Sequence, residues 1–184
     1  MRVITIFLAL AMLGTACQEP LTESQKKQVA QIDTLLYVAD SLHTAMEVLN
    51  DSAIAKDLEE VEVLYKTIAS ANPDSANKRF WVQDVNRLEL VYSSYKKYLR
   101  DKESIKSKLA TSRQQLETLK NSVIDAKLDS AQAANYLQEE AQALANANFK
   151  FNKRQPNAVV AEQVWDTAQT HFRQMARRIK QKQK

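Results

Sequence analysis

Glycine is nearly missing from this chain, and that scarcity narrows its folds more than any motif does. Gly14 is the only one in 184 residues, and from Cys17 onward there is none. Phosphate-cradling loops, dinucleotide-binding turns and nucleophile elbows use glycine for positive φ or close backbone approach. None of them can occur here in its usual form. Proline is scarce as well, at Pro20, Pro73 and Pro156. Ala, Gln, Lys, Leu and Glu dominate the rest, and all are strong helix formers. Asn-Gly and Asp-Gly turns are missing, as is sustained apolar/polar alternation, so nothing signals strands. The predicted fold class is all-α: an elongated antiparallel bundle of coiled-coil-like hairpins, with four to five helices.

Apolar residues recur at spacings of three and four, which stacks them along one helix face. The first ladder is Ile32, Leu35, Ala39, Leu42, Met46 and Leu49. It resumes at Ile54, Leu58, Val61, Tyr65 and Ile68. Asn50-Asp51-Ser52 fills the phase break between them and supplies a capping residue. With no glycine or proline to force reversal, the expectation for residues 23–71 is one continuous or kinked helix. Ala71-Asn72-Pro73-Asp74-Ser75 is the clearest turn, because asparagine before proline leaves the helical region. A second ladder runs Trp81, Val85, Leu88, Tyr92, Tyr95, Leu99. Arg100-Asp101-Lys102-Glu103-Ser104 interrupts it. A third begins at Ile105 and continues through Leu109, Ser112, Leu116, Leu119 and Val123 into alanine-rich sequence. One helix is expected over 103–152, a turn at Gln155-Pro156-Asn157, and a final helix carrying Ala161, Trp165, Ala168, Phe172, Met175 and Ile179. Residues 23–184 are expected to form a single domain.

Charge is uneven along the chain. Residues 18–72 hold ten acidic and four basic side chains, whereas 155–184 hold six basic and two acidic, within a net charge of +4. Antiparallel helices with opposite rims would use this imbalance to choose their pairing.

The N-terminus carries a targeting pattern. Arg2 gives a short positive region, residues 3–13 are apolar apart from Thr5, and Gly14, Thr15 and Ala16 are small. The apolar run is too short for a transmembrane helix. Leu13-Gly14-Thr15-Ala16-Cys17 resembles the lipobox of bacterial lipoproteins, with Thr15, Ala16 and Cys17 in their usual places and the leucine one place early. The resemblance covers residues 1–17 only. It implies removal of 1–16 as a lipoprotein signal peptide and acylation of Cys17, the chain's only cysteine. Residues 17–22 would then be the lipidated N-terminus and linker. It also implies a bacterial cell envelope location, with palmitate among the acyl chains. Gln18 rather than aspartate follows the cysteine, which favours the outer membrane, on its periplasmic or surface face.

Candidate sites are few. His43 and His171 are the only histidines; with Met46 and Met175 they could ligate a metal or haem if the fold brought them together. Rim positions are the simpler reading, so no cofactor is expected. Arg79, Phe80, Lys96, Lys97, Tyr98 and Arg100 lie beside the second ladder and form the candidate binding face. Arg173, Arg177, Arg178, Lys180, Lys182 and Lys184 form a basic run suited to an anionic surface. Glu59-Glu60 and Glu139-Glu140 are adjacent on helices, so they point about 100° apart and cannot flank a substrate. No catalytic set emerges, and an enzyme is not expected. The expected partners are a membrane, through the lipid, and an envelope protein or polymer. Nucleic acid is not expected, and the apolar stripes serve homo-oligomerisation as well as intrachain packing.

Overall fold

In the computed structural model, residues 20–71 and 78–182 are described. Cys17, the signal segment 1–16, most of the 71–75 turn and Lys184 lie outside them. Four helices occur among the described residues and no strand: α1 (Glu23–Met46), α2 (Asp51–Ala69), α3 (Lys78–Ile124) and α4 (Ser130–Lys182). The helical bundle expected from the ladders is present.

The packing unit is a strict heptad seam. In α3, apart from Ser94 beside the seam, the buried positions are Leu88, Val91, Tyr95, Tyr98, Lys102, Ile105, Leu109, Ser112, Leu116, Leu119 and Val123. Their spacing alternates three and four without a slip, which keeps one face toward the partners along the whole helix. The second ladder as read from the sequence shares Leu88 and Tyr95 with this seam and misses it by one residue at the alternate rungs, Val91 and Tyr98. Tyr92 and Leu99 flank the seam, and Tyr98 lies in it.

α3 and α4 form a long antiparallel hairpin. Asp101 meets Arg154, and Asp84 meets His171 near the far end. At 1.5 Å per residue the longer arm spans about 80 Å. α1 and α2 follow one another along this hairpin and complete a three-rod cross-section. α1 packs with the half nearer the hairpin tip, in a core including Ile32, Leu42, Leu116, Leu144 and Phe151. α2 packs with the other half, around Ile54, Ile68, Tyr95, Trp165 and Phe172. Both cores lie on the same two long helices.

Residues 23–71 are not one helix. α1 ends at Met46 and α2 restarts at Asp51, with the Asn50 side chain accepting from the Ala53 amide at 3.1 Å. Leu49 to Ile54 is a five-residue step where the heptad needs four. An unbroken helix would carry Ile54, Val61 and Ile68 about 100° off the core stripe. Stopping and restarting returns them to the core, with neither glycine nor proline.

The turn between α3 and α4 falls at residues 125–129, inside the stretch expected to be helical over 103–152. Ala126 has φ 52°, the one positive value among the described residues. The Lys127 amide reaches the Ser122 carbonyl at 2.9 Å and the Ala126 amide reaches Val123. That is a Schellman stop built on alanine where glycine is usual. Asp129 and Gln132 then cap α4 reciprocally, at 2.8 and 3.3 Å. Replacing Ala126 with glycine relieves the left-handed strain and partly offsets it with unfolded-state entropy. The expected gain is about 1 kcal/mol, read as a rise of about 2–4 °C in thermal midpoint.

The expected turn at residues 155–157 does not form. α4 runs through Pro156, whose ring lies on the exposed side. The core ladder continues from Phe151 to Ala158 and Ala161 across it, and Asn157 donates to the Lys153 carbonyl at 3.1 Å. Likewise residues 100–104 do not interrupt α3; Lys102 occupies a seam position there.

Candidate functional site

Two polar features stand out on this rod. The first surrounds the α1–α2 break. The last carbonyls of α1 lack helical partners and lie beside α3 and α4. Lys102 Nζ donates to the Met46 carbonyl at 2.5 Å and pairs with Asp51 Oδ2 at 2.6 Å. Gln155 Nε2 donates to the Ala45 carbonyl at 3.2 Å. Tyr98 Oη donates to Asp51 Oδ1 at 3.3 Å, and Lys102 Nζ lies 5.7 Å from the Tyr98 ring centre. Arg154 Nε and Arg100 Nε both donate to Asp101, at 2.6 and 2.9 Å. The Arg100 bond, opposed by burial and assisted by Arg154, holds the Asp101 carboxyl below the usual carboxylate range. Burial and the Asp51 carboxylate push the Tyr98 hydroxyl far above its ordinary pKa, so it remains a donor. This cluster seals a helix break; its atoms face one another.

Tyr98 therefore leaves the candidate binding face. It is 2% exposed, because the true seam phase includes it. Phe80 stays outside at 67% exposed. Lys96 covers the Tyr92 ring at 5.2 Å and donates to its hydroxyl at 3.0 Å. Lys97 is exposed, and Arg100 is held by Asp101. Phe80 and Arg79 lie at least 16 residues from Lys96, about 25 Å along the same helix. The six residues do not form one patch.

The second feature is the end of the rod away from the hairpin tip. The Asp84–His171 contact at 2.8 Å sets the register there. Lys78 and Arg79 then stand level with Arg177 and Arg178, one turn before Lys180. All five are exposed, and none has an ion pair among the described residues. α3 has no acidic residue in its first turn. Arg173 does not belong to this group. Its guanidinium grips Glu60 bidentately at 2.6 and 2.7 Å, and this bond draws the Glu60 carboxyl below its ordinary pKa. Lys182 closes α4. The α4 half of this cluster was legible as a basic run. The α3 half was not, since pairing Lys78 with Arg177 requires the turn at 125–129.

His43 is exposed on α1 in the tip-side half, whereas His171 lies near the far end of α4. The structure does not bring them together, and Met46 is buried with its carbonyl on Lys102. No group of three His, Cys, Asp or Glu residues suited to a metal occurs among the described residues. A groove of about 590 Å³ lies along the hairpin, lined in part by Thr111, Gln115, Tyr136 and Glu140. Glu140 falls on a seam position, and its Oε2 is buried without a hydrogen-bond partner. No described helix is long and apolar enough to cross a membrane. No family model, curated protein or solved structure matches the chain.

Proposed function

We propose that this chain is a non-enzymatic, lipid-anchored spacer of the bacterial cell envelope, held at the outer membrane through Cys17. Its helical rod would tether or help assemble another envelope protein or polymer.

One observation supports this reading above the others: the start of α1 is bound to the hairpin tip. Gln25 Nε2 donates to the Val123 carbonyl at 2.9 Å, and Gln28 Nε2 to the Ser130 carbonyl at 2.8 Å. Ser24 and Ser130 hydroxyls meet at 2.9 Å. Two residues, Gln18 and Glu19, separate Cys17 from Pro20, so the linker reaches about 10 Å. A lipid on Cys17 would hold the tip against the headgroups, and all three rods would lead away from them. A second or third acyl chain gives stable anchoring where one alone binds marginally.

The test uses the full-length chain expressed in bacteria. The wild type should incorporate palmitate and fractionate with membranes. Cys17→Ala should lose the label and leave the membrane fraction with its helical circular dichroism intact. A wild-type mature chain whose Cys17 thiol is bare by mass spectrometry overturns the anchored reading.

A further inference from the structure

We infer that the cationic end formed by Lys78, Arg79, Arg177, Arg178 and Lys180 is a docking surface for a second, anionic phospholipid bilayer. Three observations carry this. First, the five cations come from segments about a hundred residues apart, and the hairpin register converges them at one end. Like charges gathered without acidic partners among the described residues repel, and an anionic surface relieves that repulsion. Second, exposed Phe80 belongs to the same end. An aromatic side chain among cations suits a bilayer interface, where headgroups take the charges and the acyl boundary takes the ring. A soluble polyanion offers the ring nothing. Third, the surface lies at the opposite end of the rod from the N-terminal linker, about 70 Å away along α3. A chain anchored near its tip would not reach its own bilayer with this end. It would face another membrane surface.

The bridging role rests on the lipid-anchored reading; the affinity of the cationic end for anionic lipid does not. The experiment separates them. Lipidated full-length protein is reconstituted into donor vesicles of phosphatidylcholine. Fluorescent acceptor vesicles are then offered, either phosphatidylcholine alone or with about a third phosphatidylglycerol. Acceptors containing phosphatidylglycerol should be captured and neutral ones should not. Capture should fall steeply with added salt. Each cation near the surface is worth about fivefold, so the K78E/R79E/R177E/R178E variant should lose affinity by several hundredfold or more. Phe80→Ser should lose on the order of fivefold. A variant reversing four mid-rod cations, K97E/K108E/K150E/K153E, should capture normally. It carries the same change in net charge, and circular dichroism checks that both variants stay folded.

Capture of neutral acceptors, or equal loss in both quadruple variants, overturns the inference. So does a long-chain polyphosphate that binds the wild type and Phe80→Ser alike while anionic vesicles are ignored; the surface is then one for a soluble polyanion. Failure of the protein to float with the donor vesicles counts against the anchor alone. The cationic end is then measured by co-sedimentation of the free chain with the two acceptors, and the same variants decide it.

Discussion

Replacing Lys102 with alanine is expected to remove about 3–5 kcal/mol of folding stability, the usual result of breaking a buried charge pair from one side. Lys102 is 2% exposed. Its ammonium serves the Met46 carbonyl and the Asp51 carboxylate, which lie on opposite sides of the α1–α2 break. Alanine leaves that carbonyl and carboxylate without their cation and opens a void in the seam. Asp51 is 38% exposed and can recover some solvation, which places the expected value toward the lower end. Lys102→Met keeps most of the packing and loses only the charge, so it should cost less than alanine. Lys106→Ala is the control. Its side chain is half exposed and lies 3.9 Å from Glu47, and such surface pairs contribute at most about 1 kcal/mol. Urea unfolding followed by circular dichroism gives all three values. A Lys102→Ala loss no larger than that of Lys106→Ala would show that the break does not depend on this ammonium.

Lys102 also shows where sequence reading of this fold succeeds and where it stops. Ladders of apolar residues carry their own period, so helices and a bundle were legible. A lysine on a ladder reads as an interruption, because a single sequence does not reveal that a helix end lies opposite. The Met46 carbonyl makes that position acceptable, and it comes from 56 residues away. The α1–α2 break was half legible. Asn50 announced a cap, but the missing glycine and proline argued for continuity, and the one-residue skip in the heptad decided it. At residues 125–129 the alanine-rich run hid the turn. The reciprocal Asp129–Gln132 cap was the available signal, overshadowed by Ala126 in a position normally given to glycine.

The sites follow the same logic. Tyr98 and Phe80 both flank the second ladder as read from the sequence, yet one is buried and the other exposed. Neighbouring residues point about 100° apart, so placing the rung at Leu99 instead of Tyr98 turned a core side chain into an expected surface one. Arg173 belonged to the basic run by sequence, but Glu60 on α2 holds it. The acidic first third does pair with cations in space, with Lys102, Arg113 and Lys120 on α3 and with Arg173 on α4. The cations left over at the end of the rod are visible only after that pairing is subtracted.

Pro156 supplies the second large effect, with the opposite sign. A proline inside a helix loses one backbone hydrogen bond and presses its ring on the carbonyl four residues back, about 3 kcal/mol or more. Here that carbonyl belongs to Asn152, and α4 continues regardless from Ser130 to Lys182. The tertiary seam overrides the local preference: Phe151, Ala158, Ala161 and Trp165 are all at most 3% exposed around it. Replacing Pro156 with alanine restores the bond and removes the clash. It also frees the unfolded chain, which takes back about 0.4–1 kcal/mol. The expected net is a gain of about 2 kcal/mol, or about 4–8 °C in thermal midpoint. The neighbours make the experiment sharper. Arg154 and Gln155, the two residues before the proline, are those that reach Asp101 and the Ala45 carbonyl at the helix break. If Pro156→Ala lowers the midpoint instead, the proline is what aims those two side chains at the break. The double variant Q155A/P156A then tells the cases apart. An effect of the proline that acts through Gln155 makes the two losses non-additive, whereas simple relief of helix strain leaves the gain intact when Gln155 is gone.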